Sequence, residues 1–196
     1  MAITPLLGDR LQSRTFVLKR KIMKLVGADF LIFDDQDRLV LFVHQMGFKL
    51  KEDIRAYTDE TKQVEVLRIA ARQVVDFASA YDVFDSATGQ RIAVLQRMGW
   101  KSMLRDEWSV CGPNEVEVGK MVEDSMVMAV IRRFVSNLVP QNYDLLIGGE
   151  RHVDFKQNFN PFTYHLNIVV ERRDVLDPRV ALAAAVLLAA IEGRQN

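Results

Sequence analysis

The segment that decides the fold is Val180-Ala-Leu-Ala-Ala-Ala-Val-Leu-Leu-Ala-Ala-Ile191, a long apolar run without a charged residue. Asp177 is a favoured N-cap residue, Pro178 suits the first helical position and Gly193 can end the helix, so the run predicts an α-helix. This helix is apolar on every side and must therefore be buried all round or lie in lipid. It would span roughly 18 Å, against roughly 30 Å of bilayer hydrocarbon, which is too short to cross a membrane. We therefore expect the rest of the chain to fold around it.

Short stretches of alternating apolar and polar residues predict β-strands along most of the remaining chain. They are Val64–Val66, Tyr81–Val83, Val116–Val118, Tyr143–Ile147, His152–Lys156 and Tyr164–Ile168, with the more uniformly apolar Leu39–Val43 and Ile92–Leu95. Roughly ten to twelve strands fit the chain, which is enough to close a sheet into a barrel around the helix. One additional helix is predicted near 125–138, where Met126, Val130 and Phe134 recur at helical spacing, with a strand as the alternative. The predicted fold class is mainly β with α.

An internal repeat supports the barrel. The stretches Phe30–Asp34, Arg38–Phe42 and Gly47–Lys49 reappear as Tyr81–Asp85, Arg91–Leu95 and Gly99–Lys101, at offsets of 51, 53 and 52 residues. Repeated meanders of this kind build large antiparallel sheets. Because no linker separates the two copies, we expect a single domain over 15–196, preceded by an N-terminal extension over 1–14.

Composition excludes several classes of protein. The 196 residues contain 26 Lys and Arg and 26 Asp and Glu, so the formal net charge is zero, which argues against a nucleic-acid partner. A single cysteine, Cys111, excludes a disulfide framework and a cysteine-rich zinc site. The N-terminal residues do not have the pattern of a signal peptide, so the expected location is cytoplasmic, with peripheral attachment to a membrane as an option.

Searches for catalytic motifs find none, and we expect no enzyme, no cofactor and no metal. The chain has no GxSxG, GxGxxG or GxxxxGK[ST] motif. Cys111, beside Gly112-Pro113, is better explained as a turn residue than as a nucleophile. Glu150, His152 and Asp154 alternate along one predicted strand and would share a face. That pattern is common on exposed strands, so it favours a structural role over a metal site.

Basic residues are concentrated near the N-terminus although the total charge is balanced. The segment from Asp9 to Lys24 contains six basic residues and one acidic residue, which gives a local net charge of +5. The basic residues are Arg10, Arg14, Lys19, Arg20, Lys21 and Lys24. A second basic group in the second repeat, which would extend the same face, comprises Arg97, Lys101 and Arg105. One interpretation is a solvated edge strand, which lysines protect from aggregation. The other is a patch for an anionic surface, where each Lys or Arg contributes about 1 kcal/mol.

The order of these features resembles the tubby C-terminal superfamily, which includes the LURP-one-related proteins and the phospholipid scramblases. The resemblance rests on the basic first strand Thr15–Lys21, on the aromatic-x-hydrophobic-aromatic-Asp pattern of Phe30–Asp34 and Tyr81–Asp85, and on the final apolar helix. It extends from Thr15 to Gly193. It implies a closed antiparallel barrel of about twelve strands around a buried hydrophobic C-terminal helix.

The resemblance also implies a function, a non-enzymatic module for anionic phospholipid head groups or for a protein partner at the membrane surface. In tubby proteins a lysine and arginine cluster on an early strand holds a phosphoinositide head group, and Lys19, Arg20 and Lys21 are similar in type and placement. The alternative that the scramblase relatives suggest is translocation of lipids between leaflets. Two departures weaken that alternative: the chain has no cysteine cluster for acyl anchors, and Arg172 and Arg173 interrupt the acidic residues that a calcium loop would need.

Overall fold

The computed structural model describes residues 7–21, 28–45, 53–72, 79–98, 107–124, 142–158 and 164–191. These ranges contain a 3-10 helix (Gly8–Gln12), twelve β-strands and one α-helix, α1 (Pro178–Ile191). The strands are β1 (Thr15–Lys21), β2 (Ala28–Asp34), β3 (Leu39–Gln45), β4 (Asp53–Tyr57), β5 (Glu65–Ala71), β6 (Ala80–Asp85), β7 (Arg91–Arg97), β8 (Glu107–Cys111), β9 (Glu117–Glu123), β10 (Asn142–Ile147), β11 (Glu150–Gln157) and β12 (His165–Val170). The helix or strand predicted near 125–138 lies outside the described residues.

The twelve strands form one closed antiparallel barrel. Each strand pairs with the strands before and after it in sequence, and β1 pairs with β12 in a register that includes Phe16 opposite Ile168. Closure leaves no free sheet edge, so each strand has a hydrogen-bonded neighbour on both sides. The predicted barrel is confirmed, and β1 is not an edge strand.

The α1 helix lies inside the barrel. It contacts β12 and β1 on one side and β5 and β7 on the opposite side of the ring. Residues from Arg179 to Ala190 are all buried, and those from Val180 onward belong to the same core as the inward side chains of the strands. The small alanine side chains let the surrounding wall approach the helix backbone closely. The all-round apolar surface of the run is therefore explained by burial on every side.

The first turn of α1 carries a buried ion cluster that the apolar pattern of the helix does not indicate. The Asp177 carboxylate caps the helix by accepting a hydrogen bond from the Arg179 backbone N–H at 2.9 Å. The Arg179 guanidinium pairs with Asp177 at 2.8 Å and with Asp85 of β6 at 2.9 Å. Burial alone would lower the pKa of Arg179, but these two carboxylates reverse the effect and raise it. This cluster ties the start of the helix to the barrel wall.

The internal repeat corresponds to two equivalent hairpins, β2–β3 and β6–β7. Both hairpins have a register irregularity one residue before the end of the repeated aromatic pattern, at Ile32/Phe33 and at Val83/Phe84. The repeated aspartate, Asp34 in the first copy and Asp85 in the second, is buried and accepts backbone hydrogen bonds from its own turn. The pattern is therefore maintained by turn geometry. The third stretch of the repeat, Gly47–Lys49 and Gly99–Lys101, lies outside the described residues.

Residues just before β1 also pack on the barrel. Leu7 and Leu11, which flank and lie within the 3-10 helix, are almost fully buried and belong to the core. Asp9 of the same helix forms an ion pair with Arg38, which in turn holds Asp34. The described part of the predicted N-terminal extension is thus attached to the β2–β3 hairpin.

Candidate functional site

The three consecutive basic residues of β1 are divided between the two sides of the barrel wall. Phe16 and Leu18 point into the core, and Arg20 continues this inward alternation, opposite the core residue Phe30. Lys19 and Lys21 point outward. The structure therefore brings Lys19 and Lys21 together on the outer surface but separates Arg20 from them.

Arg97, the described member of the second predicted basic group, does not extend the same outer surface. Arg97 of β7 lies opposite the core residue Trp108 and follows the inward alternation of Ala93 and Leu95. In the closed strand order β7 is also the strand farthest from β1. Lys24, Lys101 and Arg105 lie outside the described residues.

Part of the positive charge of the N-terminal segment is balanced by distant acids. Lys21 forms an ion pair with Glu60 of the β4–β5 turn at 2.6 Å. The hydrogen bond to Glu60 raises the pKa of Lys21 above its usual value, and Asp29 adds to the effect. Lys19 differs from Lys21, because the described residues place no carboxylate within ion-pair distance of its amine.

Six apolar side chains lie among polar ones on the outward side of the first four strands. Two neighbouring rows cross this surface, one formed by Val17, Phe33 and Leu39 and the other by Leu31, Phe42 and Tyr57. These six side chains alternate with inward core residues, so they point away from α1. We call them, together with Lys19 and Lys62, the β1–β4 outer face. Five of the six are half-buried and Phe42 is buried, so the face is apolar but is covered in part by its neighbours.

Two lysine amines lie over aromatic rings of the β1–β4 outer face. The Nζ atom of Lys19 is 4.8 Å from the centre of the Phe33 ring, and that of Lys62 is 5.7 Å from the centre of the Phe42 ring. Both distances suit cation–π attraction. Phe42 is only 2% exposed although it points outward, because neighbours such as the Lys62 side chain cover it. The face thus combines aromatic rings with positive charges held at its surface.

Cys111 does not have the environment of a nucleophile. It is buried at the end of β8, and burial raises the pKa of its thiol, with a further contribution from the negative charge of Glu117. A reactive cysteine requires the opposite, a lowered pKa that populates the thiolate. The interpretation of Cys111 as a structural residue therefore agrees with its surroundings.

The alternating trio on β11 is not arranged as a metal site. A register irregularity between Leu145 and Leu146 of β10 places His152 in a bulge of β11. Glu150 pairs with Arg172, and Asp154 pairs with Lys156 at 2.7 Å. No group of three potential metal ligands is found in the part of the chain that the structure describes. The simple alternation expected from the sequence is interrupted by the bulge.

The other two histidines occupy different environments on the outer surface. The Nδ1 atom of His44 lies 2.7 Å from the Asp29 carboxylate. Burial lowers the pKa of His165, and the positive charge of the neighbouring Lys19 lowers it further. A neutral imidazole beside Lys19 leaves the amine as the positive group of this part of the face.

Comparison with known proteins gives no match to a family model and no match to a curated protein. The tubby-like resemblance therefore remains a prediction. Over the described ranges, no helix combines the length and the apolarity that crossing a bilayer requires. The class that the structure defines is a closed twelve-stranded antiparallel barrel threaded by an apolar helix.

Proposed function

We propose that this protein is a non-enzymatic binding module that rests on an anionic phospholipid surface through the β1–β4 outer face. The observation that carries the proposal is the placement of the Lys19 and Lys62 amines over Phe33 and Phe42 on a single outer wall. Apolar side chains such as Phe and Leu bury at the boundary between lipid head groups and hydrocarbon, and lysines favour the phosphates above it. Phe33 is half-buried and Phe42 lies beneath Lys62, so the two amines are placed above the rings.

The filled interior supports a binding site on the outside. The inward side chains of the strands pack with α1 into one continuous core. A ligand of head-group size would have to displace that packing to enter, at a cost of several kcal/mol. The outer wall has no such cost.

Electrostatics supports an anionic partner. Each lysine beside an anionic leaflet contributes about 1 kcal/mol, so Lys19 and Lys62 together contribute about 2 kcal/mol, or about a thirtyfold change in affinity. The tubby-like resemblance leads to the same strand, since Lys19 belongs to the basic residues that it relates to a head-group site. A protein partner with an acidic surface is the competing explanation and is distinguished by experiment.

The test is co-sedimentation with vesicles of phosphatidylcholine and phosphatidylserine. The variant Lys19→Gln/Lys62→Gln removes both amines of the face. The variant Lys120→Gln/Lys156→Gln is a matched control, because it removes the same charge from β9 and β11, where each lysine pairs with an acid. Lys21 is left unchanged, since it is balanced by Glu60.

We expect the control to bind as the wild type does and the face variant to bind about thirtyfold more weakly. Binding should also fall steeply with salt, because the Debye length shrinks from about 10 Å at 0.1 M to about 3 Å at 1 M. Equal binding by the two variants, or no binding by the wild type at low salt, would discard the membrane surface and favour a protein partner. The same vesicles report leaflet exchange of a labelled lipid; protein-dependent exchange would support lipid translocation instead.

A further inference from the structure

Arg173 holds part of its guanidinium group in an unusual environment. It lies in the segment between β12 and α1 and is half-buried. Its Nη2 atom is shielded from solvent and has no hydrogen-bond partner among the described residues. Its Nη1 atom reaches only the Gln12 side-chain oxygen, at 3.5 Å, which is the long limit of a hydrogen bond. A shielded donor without an acceptor is costly and calls for an explanation.

The segment that contains Arg173 lies beside the residues that precede β1, because Gln12 contacts the Arg173 side chain and the Arg14 carbonyl accepts a hydrogen bond from the Val170 N–H. Burial lowers the pKa of Arg173, the positive charge of Arg14 lowers it further, and only Asp35 opposes them. Arg14 is exposed and precedes β1. Within the described ranges, neither guanidinium has a carboxylate at ion-pair distance. Arg14 and Arg173 therefore lie on adjoining segments, and the negative charge of Asp35 offsets only part of the effect of Arg14.

The two arginines near Arg173 in sequence form ion pairs, unlike Arg173. Arg172 pairs with Glu150 on the surface, and Arg179 pairs with Asp177 and Asp85. The chain thus supplies carboxylates to two of the three arginines of this segment. Within the described ranges, Arg173 differs from both neighbours in that it forms no ion pair.

We propose that Arg14 and Arg173 form a binding site for a phosphate group. A guanidinium presents several N–H donors in a planar fork that matches the oxygens of a phosphate. A phosphate monoester carries a charge of about −1.5 to −2 at neutral pH, which suits two cations better than a single carboxylate would. The phosphate can belong to a small soluble molecule or to a lipid head group. The site lies at the start of β1 and does not depend on the β1–β4 outer face.

The first test measures thermal unfolding with increasing inorganic phosphate, with sodium chloride used to hold the ionic strength constant. Ligand binding to the native state raises the melting temperature with ligand concentration. Arg173→Gln and Arg14→Gln should lose this rise, because each charged hydrogen-bond donor that is removed weakens binding by about tenfold or more. Arg172→Gln is the matched control, since it removes a neighbouring arginine already paired with Glu150, and it should respond as the wild type does.

Several outcomes would overturn the site. One is a wild type that phosphate stabilises no more than chloride does. Another is a rise in melting temperature with phosphate that persists in Arg173→Gln and Arg14→Gln. A third is the loss of that rise in the control Arg172→Gln as well. Arg14 is exposed, so Arg14→Gln should fold even if Arg173→Gln does not.

The source of the phosphate is distinguished with two further probes, glycerol phosphate and vesicles of phosphatidylcholine containing phosphatidic acid. Loss of vesicle binding in Arg14→Gln would identify a lipid head group. If Arg14→Gln binds vesicles as the wild type does but loses its response to glycerol phosphate and inorganic phosphate, the ligand is a soluble molecule. Lys19→Gln/Lys62→Gln should keep the inorganic phosphate response, so that failure of the membrane proposal and failure of this site give different results.

Discussion

Removing the Arg179 guanidinium should test how the central helix is held in the barrel. In Arg179→Met the apolar stem remains, but Asp85 and Asp177 lose their cation. Asp85 is the more affected, because its side chain is 5% exposed and lies 2.9 Å from Arg179. Removing one partner of a buried ion pair costs about 3–5 kcal/mol. This is a large part of the free energy of unfolding of a typical domain, which is about 5–15 kcal/mol. We therefore expect a folded but strongly destabilised protein.

The matched control is Arg38→Met, in the first copy of the repeat. Arg38 bonds the equivalent aspartate, Asp34, at 2.7 Å, but Arg38 is about a third exposed. Asp34 also keeps two backbone donors, the N–H groups of Gln36 and of residue 38. The loss in Arg38→Met should therefore be clearly smaller than in Arg179→Met.

The assay is urea unfolding followed by circular dichroism, with stability taken from the midpoint at an unchanged slope. The double variant Asp85→Asn/Arg179→Met should recover part of the loss, because it leaves no buried carboxylate without a partner. A loss in Arg179→Met no larger than that in Arg38→Met would refute the reasoning. It would mean that the cluster does not anchor the helix.

Three further predictions concern the core, the wall and acid stability. Ala185→Asp should prevent folding, because an unpaired carboxylate in the middle of α1 costs several kcal/mol; soluble expression with an unchanged melting temperature would contradict this. Gly119→Ala should lower the free energy of unfolding by about 1–3 kcal/mol through overpacking, since a Cβ atom there would lie 2.6 Å from the Leu146 carbonyl oxygen; an unchanged urea midpoint would contradict this. The Arg72 hydrogen bond lowers the pKa of Asp82, so this stabilisation is complete above the unfolded pKa of about 3.9 and disappears as the pH falls. The melting temperature should therefore decrease as the pH is lowered below about 4. A protein that is most stable below that pH would contradict the prediction.

The architecture could be predicted because it depends on patterns that are local in sequence. A helix that is apolar on every side and too short to cross a membrane must be buried in the protein. Enough segments of alternating residues then predict a sheet that closes around it. The repeat of Phe30–Asp34 in Tyr81–Asp85 marks two hairpins, because the aspartate is needed by its own turn. None of these inferences requires knowledge of a distant contact.

The candidate site was less accessible to sequence reasoning, because it depends on which residues meet across strands. Counting charges along β1 treats Lys19, Arg20 and Lys21 as one patch, whereas alternation divides them and Glu60 balances Lys21. Lys62 is remote in sequence, and it is visible only once the β4–β5 turn brings its amine over Phe42. The sequences of β2 and β3 do indicate the apolar outer face, since both strands have apolar residues on both sides.

The most direct measurement of the membrane proposal is quenching of a tryptophan placed on the β1–β4 outer face by brominated phospholipid. Tyr57→Trp places the probe on this face, and Leu146→Trp places a control on the outer surface of β10. The chain contains two tryptophans, so both variants also carry Trp100→Phe, and the fully buried Trp108 contributes the same background to both. We predict that anionic vesicles containing brominated lipid quench the emission of Tyr57→Trp and leave that of Leu146→Trp unchanged. Equal quenching of the two, or vesicle binding without quenching of Tyr57→Trp, would contradict a membrane-facing role for the β1–β4 outer face.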